Sequence, residues 1–187
     1  MTQTETGIRG APPGIVLSSR NAAIESGATI PDGPLFYAAG TVLDMPPDED
    51  PALPEGDVDW AGYAPRTIRR ARRRDEEYGF AFPGDEVFVA SEAWEMGEVY
   101  SPWPFVMPDG RLRLYYASPG GIGVAEAPSI EGVFTRIGSA PIVPVDGPDA
   151  PRRPTVVLSP DGASFFMYYE LAGRLVAASS PDGLAFA

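Results

Sequence analysis

The chain contains no cysteine and no histidine. The first absence excludes disulfides, thiolate nucleophiles and zinc-thiolate centres. The second excludes Ser-His-Asp and Cys-His catalysis and imidazole-bound metals. Long apolar runs are missing too, since none approaches the roughly 18 residues that span a bilayer, so no membrane partner is expected. The opening "MTQTETGIRGAPPG" has neither a basic start nor an apolar segment, so no signal peptide is read there and a cytoplasmic location is expected. Basic residues are few: 14 against 26 acidic, a net charge of −12, which phosphate backbones repel, so nucleic acid is not an expected partner. Any chemistry must therefore run on carboxylates, tyrosines, arginines or a hard metal held by oxygen.

What is abundant is glycine and proline, 21 and 22 in 187 residues, with 11% aromatic residues. Without a collagen period, that excess means disorder or an all-β protein full of tight turns, and the aromatic share favours the second.

The turns recur. Pro31-Asp32-Gly33, Pro108-Asp109-Gly110 and Pro160-Asp161-Gly162 each follow a short apolar run ("GATI", "PFVM", "TVVLS") and precede an aromatic strand ("PLFYAAG", "RLRLYYAS", "ASFFMYYEL"). Asp-Gly between such runs signals a hairpin in which both central residues take positive φ. A small-residue strand comes next ("TIRRARRRD", "GIGVAEAPS", "GRLVAASS"), and then a fourth ("YGFAFPGDEVFV", "EGVFTRIGSAPIV", with only "LAFA" in the last copy). The unit is thus four antiparallel strands in about fifty residues, the sequence mark of a β-propeller blade.

The expected architecture is all-β, a single partial propeller over residues 1–187 with blades near 24–90, 101–143 and 153–187. An acidic insertion is expected at 44–65. "GIVLSSR" (14–20) is expected to supply an outer strand to another blade. Propellers carry roughly four to eight blades, so about three leave an incomplete ring. Either a longer parent chain or a homo-oligomer would complete it.

The pattern "W…GEVYSPWPFV…DGRLRLYYAS…GIGVAEAPSIEGVFTRIG" resembles the five-bladed propeller glycoside hydrolases of the arabinanase/xylosidase and invertase/levansucrase type, chiefly over residues 66–187. The resemblance implies a carbohydrate or other hydroxyl-rich small molecule as ligand, with no cofactor. It also implies catalytic carboxylates at the start of the innermost strands, often as Asp before Pro. Counting eight residues back from each turn Asp gives Ile24, Ser101 and Arg153. Ser101-Pro102 and Arg153-Pro154 keep the proline and lose the carboxylate. "SIEGVF" (129–134) resembles a non-catalytic outer segment, so Glu131 is not read as a general acid.

Other carboxylates lie near: Glu25, Glu98, Asp149 and Glu170. Glu25 and Glu98 form the candidate displaced acid/base pair, or else are solvated loop carboxylates. Arg152 and Arg153 offer planar donors to carboxylates or sugar hydroxyls, or pair with Asp146 or Asp149. Tyr100 and Trp103 could stack on a sugar or pack between blades. With Ser101, these four form the candidate substrate rim. "IRRARRRD" (68–75) reads as a third strand with Ile68 and Ala71 buried and its arginines exposed, paired with Asp75 to Glu77. The loop Asp44 to Trp60 holds seven acids, including Asp57 and Asp59, without the spacing of an EF-hand, and no metal site is assigned to it. The leading expectation is carbohydrate recognition or processing. The alternative is a non-enzymatic binding or assembly protein whose blades complete a propeller with another chain.

Overall fold

In the computed structural model, residues 17–19, 22–31, 33–41, 65–73, 80 and 84–187 are described, with the backbone alone for 17–19, 22–26 and 41. The acidic loop at 44–60 and Asp75 to Glu77 lie outside the described residues.

The protein is all-β, and among the described residues the strands form three antiparallel sheets. The first runs β1 (Leu17–Ser19), β2 (Ala22–Thr29), β3 (Leu35–Thr41), β4 (Thr67–Ala71), β5 (Asp85–Phe88) in spatial as in chain order. The second holds β6 (Tyr100–Val106), β7 (Leu112–Ser118) and β8 (Gly121–Ala127). Its fourth strand is split into β9 (Thr135–Arg136) and β10 (Val143–Pro144), both paired to β8. The third is β11 (Arg152–Leu158), β12 (Phe165–Leu171) and β13 (Arg174–Ser180). Ala187 exchanges two backbone hydrogen bonds with Ser179 of β13, at 3.0 Å each. Among the described residues the helical element is one 3₁₀ turn, Ala93–Glu95.

β1 corrects one expectation. It pairs with the inner strand of its own sheet, Leu17 opposite Ile24, rather than joining another blade. Only two residues separate it from β2, too few at about 3.5 Å each to reach a neighbouring sheet.

The hairpin turns sit where the Asp-Gly steps predict, with different chemistry. Gly110 N–H donates to the Met107 carbonyl (2.9 Å) and Gly162 N–H to that of Ser159 (2.9 Å). Among these turn residues only the glycines have positive φ, 85° and 73°. Asp109 and Asp161 instead accept the backbone N–H two residues on, from Arg111 (3.1 Å) and Ala163 (3.0 Å). The aspartate caps the turn with its side chain while glycine takes the left-handed residue, so both need not be left-handed.

Two cores weld the sheets face to face. Between the first and second, Phe36, Ile68 and Phe88 meet Leu112, Leu114 and Tyr116. Between the second and third, Tyr115, Ile122 and Val124 meet Val156, Phe165 and Met167. Burying side chains of this size stabilises by about 1.5–3 kcal/mol each. The strict alternation along β7 sends Tyr115 to one core and Tyr116 to the other, which explains the Tyr-Tyr pair.

Each joint also carries a buried arginine. Arg70 of β4 donates to the Ile130 carbonyl (2.6 Å) and pairs with Glu131 (3.1 Å). Arg113 of β7 donates to the Asp182 carbonyl (2.6 Å). In both cases the acceptor lies in the turn after the third strand of the next sheet. Arg70 was expected at the surface; it is 7% exposed because β4 alternates Ile68 and Arg70 onto the covered face.

Candidate functional site

The inner strands β2, β6 and β11 lie side by side, β6 between the other two. Each breaks its ladder once. In β2 the pairing jumps from Ile24–Ala39 to Gly27–Tyr37. In β6 it jumps from Tyr100–Ala117 to Trp103–Tyr115, and in β11 from Arg152–Glu170 to Thr155–Tyr168. Two residues therefore face one in every blade: Glu25-Ser26, Ser101-Pro102 and Arg153-Pro154. Proline suits the unpaired position because it has no N–H to leave stranded.

This register revises the count made back from the turns. β2 has one residue fewer than β6 and β11 between its bulge and its turn. The first bulge residue is consequently Glu25, while Ile24 is the last paired residue before it. One of the three inner strands thus places a carboxylate first in its bulge. The Glu25 side chain lies outside the described residues.

Ser101 and Arg153 have φ of 49° and 51°. Positive φ is uncommon for residues other than glycine, and a following proline narrows the allowed backbone further. Such strain is held by the surrounding ladder and clusters at ligand sites.

Around the bulges the candidate residues fall into three groups. Glu98 accepts from Arg66 Nη2 (2.7 Å), and the Arg66 guanidinium lies 3.9 Å above the Tyr100 ring. Arg66, Glu98 and Tyr100 are therefore one unit, joining the approach to β4 with the start of β6. Trp103 is half-buried and its indole N–H donates to the Val156 carbonyl of β11 (2.9 Å), so it ties the second sheet to the third. Arg152 and Arg153 are exposed. Arg153 pairs with Glu170 of the adjacent strand at 2.6 Å, not with Asp146 or Asp149. Ser101 is buried at the bulge itself.

A second polar cluster was not read from the sequence. Glu95, fully buried, accepts from Arg136 Nε (2.7 Å), Arg136 Nη2 (2.8 Å) and the Tyr116 hydroxyl (2.7 Å). It also accepts the N–H groups of Ser91 (2.6 Å) and Glu92 (2.9 Å). Burial alone would raise this carboxyl, but Arg136 and the other donors outweigh it and hold it below the usual carboxylate range. Burial pushes the Tyr116 hydroxyl up, and its bond to Glu95 adds to that. With all five donors supplied by protein groups, the cluster fixes the segment entering β6. Its sequence signal is Glu92-x-x-Glu95 before Met96-Gly97, a capping-box spacing closed by glycine.

No family model matches the chain, and no curated protein matches it. Several solved structures share the fold. A thermostable family-43 glycoside hydrolase aligns at a TM-score of 0.55 with 17% identity, over 87% of this chain and 55% of that one. A protein of unknown function from Dyadobacter fermentans DSM 18053 gives 0.55 and 17%, over 86% and 48%. An endo-1,4-beta-xylanase from Bacteroides thetaiotaomicron VPI-5482 gives 0.51 and 14%, over 88% and 55%. The fold is that of propeller blades as in glycoside hydrolases, and the chain spans about half the length of these structures.

Proposed function

We propose that the chain is a carbohydrate-binding propeller segment whose ligand sits at the bulged starts of β2, β6 and β11, and that it does not hydrolyse glycosides. The observation carrying this reading is the repeated bulge, with Ser101 and Arg153 held at positive φ where enzymes of the resembling type place carboxylates.

Hydrolysis of a glycosidic bond needs two carboxyl groups across it, about 5–5.5 Å apart for retention and about 6.5–9.5 Å for inversion. Of the three bulges among the described residues, only the first carries one, Glu25. The Glu98 carboxylate is already engaged by Arg66. Arg153 brings a permanent cation to the third bulge, and a cation beside a carboxyl favours its charged form, which spoils a general acid. The same guanidinium donates well to sugar hydroxyls or a uronate carboxylate. Binding is supported where cleavage is not.

The test is a panel of aryl glycosides beside an oligosaccharide-binding assay, on wild type and Arg153→Ala. Saturable binding without turnover is expected, weakened roughly ten-fold in the variant, the loss of one charge-assisted hydrogen bond. Robust turnover abolished by Glu25→Gln or Glu98→Gln would assign those two as a working acid/base pair and overturn the reading.

A further inference from the structure

Each inner strand sets one residue directly past its bulge opposite a tyrosine of the strand beside it. Gly27 faces Tyr37, Trp103 faces Tyr115 and Thr155 faces Tyr168. The three positions are equivalent and their occupants are not. A Cβ at Gly27 would stand 3.0 Å from the Phe36 carbonyl oxygen, so the first position is crowded against any side chain. Threonine at the third is too short to cross between strands. Only the indole of Trp103 spans a joint.

The bond it makes is placed to couple two bulges. Trp103 is the first residue past Ser101-Pro102, and its acceptor, Val156, is the second past Arg153-Pro154. β11 is the edge strand of its sheet, so a carbonyl turned away from β12 has no ladder partner. Trp103 Nε1 supplies one at 2.9 Å. Val156 is 1% exposed and shares a core with Tyr115, Phe165 and Met167, where an unpaired carbonyl is costly. Without that N–H, β11 must shift to bring the oxygen to water. Arg153 lies three residues upstream, on backbone that its surroundings hold at a φ of 51°.

We propose that Trp103 is a positioning residue: its hydrogen bond to Val156 holds the third bulge against the second, so that Arg153 and the Ser101 bulge meet one ligand. This rests on the reading of the bulges as a carbohydrate site. It moves Trp103 from stacking on a sugar to holding the strand that carries the sugar's donor. A binding constellation must be kept within about 0.5 Å of its productive geometry, so loosening β11 weakens what Arg153 contributes to binding.

The test is a double-mutant cycle read by calorimetric titration with arabino- and xylo-oligosaccharides, on wild type, Trp103→Phe, Arg153→Ala and the double variant. Phenylalanine keeps an apolar ring in the joint and deletes the N–H. Trp103→Phe should weaken binding about five-fold, within the roughly ten-fold that Arg153→Ala costs, and by less than about two-fold once Arg153 is absent. A ring that stacked on the sugar would cost the same in both backgrounds, and one that only stabilised the fold would leave the affinity of the folded protein unchanged. Either result overturns the proposal and leaves the carbohydrate reading in place. No saturable binding in wild type overturns both. Should Trp103→Phe not fold, Trp103→Met fills the joint with a flexible apolar chain and completes the cycle.

Discussion

Ser101 and Arg153 occupy one backbone position in consecutive blades. Both open a two-against-one bulge, both precede proline, and their φ angles agree within two degrees, 49° and 51°. Chemically they share little: a buried hydroxyl and an exposed guanidinium. What repeats is the bend that aims the residue out of the ladder, so the scaffold keeps the position and the side chain is free to vary with function.

That strain predicts an inverted glycine effect. Glycine in a strand normally destabilises by roughly 0.5–1 kcal/mol relative to alanine. Arg152→Gly should follow the rule. Arg153→Gly should be neutral or stabilising by up to about 1 kcal/mol, since glycine takes positive φ without steric penalty and the exposed pair with Glu170 contributes little. Chemical denaturation of the two variants checks this, and equal losses would show that the bulge is unstrained.

Glu95 predicts a pH dependence. Its folded carboxyl is held below the ordinary 4.5, so the stability it contributes is complete above the unfolded value and is lost as pH falls through the folded one. Thermal melts between pH 7 and pH 3 should show the acid-side decline shallower in Glu95→Gln than in wild type. At neutral pH the same variant should lose about 3 kcal/mol, because Arg136 keeps its charge and loses its carboxylate.

Gly183 predicts a joint defect. Its carbonyl accepts from the buried Tyr115 hydroxyl (3.0 Å) and its φ is 73°. A Cβ there would lie 2.7 Å from both Tyr115 Oη and Arg113 Nη1. Gly183→Ala should destabilise by about 1–3 kcal/mol and loosen the third sheet from the second. Hydrogen exchange should show β11 to β13 opening before β6 to β8. Uniform protection loss would contradict a local joint.

Local pattern made the central blade legible. The alternation on either side of Asp109-Gly110 and the small residues of β8 dictate hairpins whatever surrounds them, and they place Tyr100, Ser101 and Arg153 at inner-strand starts. The misplacements have a common cause in long-range pairing. Arg70 reads as a surface residue until the turn at Ile130 is seen to supply its acceptor. The role of β1 depends on which edge it meets. Glu25 was separated from the bulge position because β2 is one residue shorter past its bulge, and a count from the turn cannot detect that. Glu95 draws its side-chain donors from Arg136 and Tyr116, 41 and 21 residues away, so the local capping-box spacing marks the turn but not the burial.

The most direct test of the account is calorimetric titration of the wild-type chain with arabino- and xylo-oligosaccharides, the recovered ligand then weighed by mass spectrometry. The account predicts saturable binding, weaker in Arg153→Ala, with every oligosaccharide returned intact. Shortened products at enzymatic rates, disappearing in Glu25→Gln, would contradict it.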